Sequence, residues 1–212
     1  MPSRLARLVR VQETLAKRVI LKNNYGKLEL VGGADAAYAR GKIVAAAVVC
    51  DASTLRPVEQ ARVILHHVFP YIPGFLAFRE GPAIVAAVRK LRHKPDLLLI
   101  NGHGICHPRG CGLASHVGLQ LKMPTIGVAQ GLLKGTVERR GKLFVGKRFV
   151  GYALRRASFA PIFISPGHRV SLASSARLVR RFLREHRLPE PLFHAHVLAE
   201  RTKRAIWPVS FS

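Results

Sequence analysis

The sequence contains very little acid. Asp and Glu together number 11 against 35 Lys and Arg, which gives a formal net charge of +24. A chain this basic has a polyanion as its default partner, and an anionic lipid surface is the competing one. The scarcity also makes each acid informative, because a carboxylate between apolar strands must be paired, hydrogen-bonded or bound to a metal ion.

Long apolar runs and cysteines are scarce as well. The longest apolar run, residues 43–50, has the length of a strand and is too short to cross a bilayer. Basic residues recur throughout the N-terminal segment, which is unlike a secretory signal. The three cysteines, Cys50, Cys106 and Cys111, lack paired CxxC spacing, so we interpret them as reduced thiols. We therefore expect a cytoplasmic protein with no membrane partner.

The length of 212 residues suits a single domain spanning 1–212. Hydrophobic periodicity predicts helices at residues 4–22, 81–91, 113–121, 171–186 and 191–204, and strands at 28–38, 43–51, 58–68, 97–100, 124–129 and, as a pair, within 142–164 with Gly151 near the turn. Three strands thus precede an alternation of helices and strands. This order predicts an α/β fold with a mixed β-sheet flanked by helices.

Two acids stand out by position. Asp35 lies in an apolar, glycine-flanked strand, where pairing with a Lys or Arg and binding a metal ion are about equally good explanations. Glu80 precedes Gly81 and Pro82, and the simpler explanation for it is an acid at a helix N-terminus, with Pro82 in the first turn. Neither acid identifies a site by itself.

A glycine-rich loop, residues 101–112, follows the wholly apolar run 97–100. Open α/β sheets bind ligands at the C-terminal ends of such strands, and glycines let a ligand approach the backbone. His103 and His107 could bind zinc, although no third ligand lies nearby in the sequence. The alternative is a loop whose glycines only make turns. His194 and His196, two residues apart near the C-terminus, are more often core or surface residues than ligands.

A strongly basic helix lies near the C-terminus. Its arginines could grip a phosphate backbone or simply form a solvated face, and the overall charge favours the grip. They are Arg177, Arg180, Arg181, Arg184 and Arg187.

Several longer motifs occur in a fixed order. They are Pro-Tyr-Ile-Pro-Gly at 70–74, Phe-Arg-Glu-Gly-Pro at 78–82, Gly-His-Gly at 102–104, His-Pro-Arg at 107–109, Gly-Leu-Ala-Ser-His at 112–116 and Pro-Thr-Ile-Gly-Val-Ala at 124–129. In this order the motifs resemble the endonuclease V family, and the resemblance covers residues 8–201. Motifs of this length are far more specific than an isolated glycine pattern.

The resemblance implies a ribonuclease-H-like fold and a Mg²⁺ site that also accepts Mn²⁺. It implies a monomeric nuclease of DNA repair that hydrolyses the second phosphodiester on the 3′ side of a deaminated base, typically hypoxanthine, in DNA or RNA. By position, it makes Asp35, Glu80 and Asn101 the metal ligands and adds Gln130 and His196 to the catalytic set. The strand-separating wedge would be Pro70, Tyr71, Ile72 and Pro73, and the base pocket Leu76, Gly102, His107, Leu113 and Leu133.

Two of these positions depart from the family pattern. Asn101 stands where the family has Asp, so one anionic oxygen is missing from a site for a hard cation. Gln130 stands where the family has Lys, which would stabilise phosphate charge; glutamine carries none. The two losses cancel in net charge. We therefore keep a second hypothesis, a homologue that binds inosine-containing DNA or RNA without cutting it, and a weaker third, a non-specific coating protein.

Overall fold

A computed structural model describes residues 3–39, 41–66 and 69–206 of the chain. The helices are α1 (Arg4–Ala16), α2 (Leu76–Lys90), α3 (Leu113–Leu121), α4 (Leu172–Phe182) and α5 (Glu190–Ile206), with a short 3₁₀ turn at Arg139–Gly141. The strands are β1 (Leu30–Ala39), β2 (Lys42–Asp51), β3 (Pro57–His66), β4 (Leu97–Ile100), β5 (Thr125–Ala129), β6 (Thr136–Val137), β7 (Lys142–Val145), β8 (Arg148–Arg156) and β9 (Phe159–His168).

Within the described residues the strands form one sheet in the order β3-β2-β1-β4-β5-β9-β8-β7-β6. The central strands β1, β4 and β5 are parallel, and the strands on either side of them pair antiparallel. The predicted mixed sheet flanked by helices is therefore confirmed. The connections between the parallel strands run through α2 and α3, as parallel pairing requires.

The central strands are buried on both faces, which explains their continuous apolar runs. Successive residues of β4 point to opposite sides: Leu97 and Leu99 pack in a core with α4 and α5, whereas Leu98 and Ile100 pack in a core with α2 and α3. The sheet thus forms the middle layer between two layers of helices. In the described part of the chain, no helix is long and apolar enough to cross a membrane.

The parallel strands β4 and β5 end together, next to the middle of β1. Ala34 pairs with Ile100 across β1 and β4, and Ile100 pairs with Gly127 across β4 and β5. The residues that follow β4 and β5 therefore emerge beside the middle of β1. This edge of the sheet, at the C-terminal ends of β4 and β5, is where an open α/β sheet places its ligands.

The second helix begins earlier than the periodicity predicted. It starts at Leu76 instead of residue 81, so Pro82 lies inside α2, where it removes one intrahelical hydrogen bond. Glu80 consequently lies outside the first turn, and the explanation of Glu80 as a helix N-terminal acid is wrong. We used Pro82 to predict the start of the helix, but burial of its longer apolar face stabilises the helix from Leu76 onward.

Two other local predictions also need correction. The first helix ends at Ala16 instead of residue 22, because the following chain turns away and Ile20 pairs through its backbone with Arg169. Gly151 lies inside β8 and pairs with Leu143, whereas the turn falls at Gly146, whose φ is +59°. Separately, the predicted third strand extends to residues 67–68, which lie outside the described residues.

The close approach of α5 to β1 generates a prediction about stability. A Cβ atom added at Gly33 would lie 2.0 Å from the carbonyl oxygen of Pro191, and two backbones cannot relax as a flexible side chain can. We expect Gly33→Ala to lower the free energy of unfolding by about 3 kcal/mol or more, measured by urea denaturation.

The control is Gly26→Ala, because Gly26 is exposed and a Cβ atom there would meet nothing within 4 Å. That variant should stay within about 0.5 kcal/mol of the parent. Equal urea midpoints for the two variants would contradict the packing of α5 against β1.

Candidate functional site

The carboxylate of Asp35 is buried in the middle of β1. The residue is 4% exposed. One carboxylate oxygen accepts a 2.8 Å hydrogen bond from the backbone N–H of Ala36, and the other lies 2.8 Å from Nδ1 of His196 on α5. The hydrogen bond to Asp35 raises the pKa of His196, which favours the protonated ring as the donor. The partner of this acid is therefore a histidine, and the pair joins β1 to α5.

Glu80 approaches Asp35 from the opposite layer of helices. It is 7% exposed on α2, and the hydroxyl of Tyr38 donates a 2.6 Å hydrogen bond to its Oε1. Burial, with a smaller contribution from the charge of Asp35, raises the pKa of Glu80 to about 8. Both acids line the same cleft, so they belong to one site.

Asn101 and Gln130 directly follow the parallel strands β4 and β5. The backbone N–H of Asn101 donates a 3.1 Å hydrogen bond to the carbonyl oxygen of Ala34, which places Asn101 beside Asp35. Gln130 is exposed, and its side-chain oxygen accepts a 3.0 Å hydrogen bond from Arg187. Asn101 and Gln130 thus lie at the same edge of the sheet as the acids.

An open cleft of about 430 Å³ connects these residues. Its walls include members of all three predicted groups: Asp35, Glu80, Asn101 and Gln130 of the catalytic set, Tyr71, Ile72 and Pro73 of the wedge, and Leu76, Gly102 and Leu133 of the base pocket. His196 contributes through its hydrogen bond to Asp35. The structure therefore brings most of the predicted site residues into one concave surface.

The wedge loop, residues 70–74, projects over one side of this cleft. Tyr71 is 67% exposed, unusually high for a large aromatic residue. The base of the loop is held at both ends: Arg79 donates to the carbonyl oxygen of Phe69 at 3.2 Å, and the carbonyl oxygen of Gly74 accepts three hydrogen bonds, described next. An exposed tip on a fixed base suits a group that must insert into another molecule.

The hydrogen bonds to Gly74 come from the buried side chains of Gln12 and His107 and the half-buried side chain of Arg109, which we call the anchor cluster. Their distances to the carbonyl oxygen are 3.0, 3.0 and 2.6 Å respectively. Arg109 also donates to the side-chain oxygen of Gln12 at 2.6 Å and lies 4.5 Å above the ring of Phe75. Gln12 is fully buried on α1. Sequence reasoning missed it, although a polar residue within an amphipathic helix was a usable signal.

His107 is part of this anchor and does not line the main cleft. Its Nδ1 accepts a 3.2 Å hydrogen bond from the backbone N–H of Arg109, so its proton resides on Nε2 and is donated to Gly74. Burial lowers the pKa of His107 to about 4, in keeping with a neutral ring. Both ring nitrogens are in use, which makes His107 a support for the wedge loop.

Leu113 likewise lies beside the main cleft and not on its wall. It lines a second cavity of about 30 Å³ together with His103 and His107. Leu76 borders both spaces. Gly102 has a φ of +157°, and a Cβ atom there would lie 3.0 Å from Leu113, so glycine is needed for this junction. The predicted base pocket is therefore divided between two adjoining cavities.

Arg177, Arg180, Arg181 and Arg184 of the predicted grip do not line the cleft, whereas Arg187 contacts Gln130. Arg181 donates a 3.2 Å hydrogen bond to the carbonyl oxygen of Ala52, next to the end of β2 that pairs with the start of β1. The cleft opens at the other edge, where β4 and β5 end. The exposed members of this set on α4 and just after it are Arg177, Arg180, Arg181 and Arg184. That these four arginines bind the phosphate backbone of nucleic acid outside the cleft stays a prediction.

The two pairs of histidines considered as zinc ligands, His103 with His107 and His194 with His196, interact with other protein groups. Nε2 of His103 accepts a 3.2 Å hydrogen bond from the backbone N–H of Leu133, and His194 lies 4.0 Å from Glu190. Across the ranges that the structure describes, His, Cys, Asp and Glu side chains form no group of three that could hold a metal ion. A metal site here would therefore need the amide oxygen of Asn101 beside Asp35 and Glu80.

Comparison with known proteins identifies a family. The family model for endonuclease V matches residues 13–197. The endonuclease V of Geotalea uraniireducens is 44% identical over 210 residues, covering 95% of this chain and 90% of the relative. That of Thermus thermophilus is 40% identical over 209 residues, covering 92% of each.

Solved structures agree with this. Endonuclease V from Streptomyces avermitilis matches with a TM-score of 0.88 at 38% identity, covering 97% of this chain and 95% of that one. Endonuclease V from Ciona intestinalis, in complex with a 24mer DNA containing an inosine followed by a ribo-adenosine, matches with a TM-score of 0.87 at 25% identity, covering 95% and 98%. The ribonuclease-H-like fold is thereby confirmed.

The anchor cluster generates a prediction about the wedge loop. Gln12→Ala removes the donor to Gly74 and Cys111 and the acceptor for Arg109. Leaving buried polar groups unpaired should lower the free energy of unfolding by about 2 kcal/mol. We expect faster amide hydrogen exchange at Phe75, whose N–H donates to the carbonyl oxygen of Ile72 in this loop.

Thr14→Ala is the matched control, because Thr14 is exposed on the same helix. It should leave both measurements unchanged. Parental exchange rates in Gln12→Ala would show that the loop holds its shape without the anchor cluster.

Proposed function

Because the chain belongs to the endonuclease V family, we propose that it is a nucleic-acid repair endonuclease that recognises a deaminated base and hydrolyses the second phosphodiester on its 3′ side. The observation that carries the proposal is the single cleft shared by Asp35, Glu80, Asn101 and the exposed Tyr71. The acidic oxygens proposed for the chemistry and the aromatic group proposed to open the strand therefore line the same cleft. A relative bound to inosine-containing DNA supports the choice of base.

The wedge loop and the adjoining cavities suit a base taken out of its stack. Flipping a base requires a group to fill the vacated space and a pocket for the base itself. Tyr71 can fill the stack because its ring is exposed while the base of its loop is fixed. Leu76, Gly102 and Leu133 offer an apolar slot with close access to the backbone.

The donor set of the cleft fits a divalent cation with oxygen ligands, and we propose Mg²⁺, with Mn²⁺ as an alternative. Asp35, Glu80 and Asn101 come from three different elements and present two carboxylates and an amide oxygen to one cleft. Burial raises the pKa of Glu80 and the charge of Asp35 adds to this effect, and a bound cation would favour the ionised carboxylate. When bound, such an ion would polarise the scissile phosphate and help to generate the attacking hydroxide.

The protein groups around this donor set hold it in place. His196 and the backbone N–H of Ala36 each fix one oxygen of Asp35, and Tyr38 fixes one oxygen of Glu80. Each carboxylate oxygen has a second lone pair with which it can bind a cation. Burial of both acids excludes water from their apolar sides and strengthens local electrostatic interactions. These contacts pre-organise the site, which is how most electrostatic catalysis is achieved.

A second candidate function is recognition of inosine-containing DNA or RNA without cleavage. Asn101 favours it, because a neutral amide replaces one of three negative charges and weakens cation binding. The base cavity and the wedge loop do not depend on that charge. Both candidates therefore share the same recognition surface and differ only in the chemical step.

For the cellular setting, we propose a monomer in the cytoplasm. The three cysteines are free and buried within the fold, which suits a reducing compartment.

The proposed function can be tested on duplexes that differ in one base. We expect cleavage of an inosine-containing strand at the second 3′ phosphodiester in Mg²⁺ or Mn²⁺, and none of the adenine-containing strand. Asp35→Asn should reduce the single-turnover rate at least about 100-fold, because it removes a charge from the donor set.

Tyr71→Ala should weaken the preference for inosine in binding assays with chelator, by about tenfold for one lost stacking contact. Equal binding of inosine and adenine duplexes by the parent would rule out both candidate functions. Preference without cleavage in either metal would select the second candidate.

The substitution at Asn101 can be tested by metal binding alone. Asn101→Asp adds an anionic oxygen to the donor set and should tighten Mn²⁺ binding by about tenfold or more, measured by calorimetric titration without nucleic acid. The matched control is Asn24→Asp, the same change at an exposed position outside the cleft. If both variants bind Mn²⁺ like the parent, Asn101 is not a ligand position.

A further inference from the structure

Arg187 is bound to the end of β5 by a fork of hydrogen bonds. Its Nη1 donates to the side-chain oxygen of Gln130 at 3.0 Å and its Nη2 to the carbonyl oxygen of the same residue at 2.7 Å. Nε donates to the carbonyl oxygen of Ala160 at 3.1 Å and Nη2 also to that of Pro161 at 2.8 Å. Three backbone carbonyls therefore hold the guanidinium in one orientation beside Gln130.

This arrangement conflicts with Arg187 itself gripping a phosphate. A guanidinium has five N–H bonds, and Arg187 directs four of them at protein oxygens. It cannot offer the two parallel donors with which arginine binds phosphate. Arg187 therefore differs from the exposed arginines of α4 and acts on the protein.

The fork determines which end of the Gln130 amide is available. Arginine has donors and no acceptor, so the atom that faces it must be the oxygen Oε1. The amide nitrogen Nε2, with its two N–H bonds, is left over. In the described part of the chain Nε2 makes no hydrogen bond. Gln130 is exposed and lines the cleft together with Asp35, Glu80 and Asn101.

We propose that Arg187 is a positioning residue that makes Gln130 a phosphate ligand. The Nε2 group of Gln130 donates to a non-bridging oxygen of the phosphodiester that lies beside Asp35 and Glu80. The guanidinium strengthens that donor, because a hydrogen bond from a cation to Oε1 polarises the amide. The inference rests on the proposed function, which supplies the phosphodiester. Gln130 provides the hydrogen-bond donor and Arg187 the positive charge, two roles that a single cationic side chain would otherwise combine.

The experiment is a binding cycle between protein and substrate modifications. Affinity is measured in Ca²⁺ for an inosine strand with native phosphodiesters and for one with a neutral methylphosphonate at the second 3′ linkage. A third strand carries the methylphosphonate five linkages away and corrects for the general loss of charge. In the parent, the modification at the second linkage should reduce affinity about tenfold more than the distant one.

Four variants report on the proposed hydrogen bond. Gln130→Ala and Arg187→Met should lower affinity for the native strand about fivefold and make the two methylphosphonate strands bind within about twofold of each other. Gln130→Glu keeps a partner for Arg187 but has no N–H, so it should lose more native-strand affinity than Gln130→Ala. Arg187→Lys keeps the charge and cannot form the fork, so it should retain the salt dependence of the parent and lose most of the difference between the two strands.

The control is Arg92→Met, which removes an exposed arginine paired with Glu59 outside the cleft. It should leave the difference between the two methylphosphonate strands at its parental size. Thermal unfolding checks the fold of each variant, and if Arg187→Met is unstable, Gln130→Glu decides the matter.

The outcomes distinguish a failure of this inference from a failure of the proposed function. If the parent prefers inosine but the Gln130 variants keep the full methylphosphonate difference, the inference is overturned and the proposed function stands. If the parent shows no preference for inosine over adenine, the proposed function fails and the inference falls with it. Loss of the difference in Gln130→Ala, Gln130→Glu and Arg187→Met, but not in Arg92→Met, supports the inference.

Discussion

A carboxylate buried at the centre of a β-sheet is the constraint around which this protein is arranged. Asp35 can remain ionised there only if its charge is compensated, and His196 on α5 supplies that partner at 2.8 Å. The partner can reach β1 only because Gly33 lets the start of α5 come against the strand backbone. Glu80 lies on α2, in the helical layer opposite to α5, so both helical layers contribute a side chain to this site.

The recognition side of the cleft follows a different physical rule. An exposed aromatic side chain binds more tightly when its loop is already rigid, because ordering a flexible loop costs conformational entropy at each binding event. The anchor cluster of Gln12, His107 and Arg109 provides that base by directing three donors at one carbonyl oxygen. Because these groups are buried or half-buried and satisfied by one another, they rigidify the loop without touching its tip.

Charge in the cleft is distributed differently from what the residue types at positions 101 and 130 suggest. Read alone, Gln130 lacks the charge that would stabilise a phosphate. In the fold, Arg187 holds its oxygen and turns its nitrogen outward as a donor. Within the described residues Asn101 hydrogen-bonds to Ala34 only through its backbone, so its side chain is not oriented in this way.

The sequence by itself determined the architecture and the family. Periodicities of two and 3.6 residues are local, so the apolar runs at 97–100 and 124–129 and the helix at 113–121 could be predicted almost to the residue. The start of α2 could not, because Pro82 is a strong local signal that the packing of a longer apolar face overrides.

Only the tertiary structure decided which side chains act together. Gln12 and Gly74 are 62 residues apart, Gln130 and Arg187 57, and Asp35 and His196 161. Contacts at such separations leave no periodic trace in a single chain. The direction of an amide and the tautomer of a histidine depend on partners that folding brings from elsewhere, so His107 proved to be an anchor and Arg187 a support for Gln130.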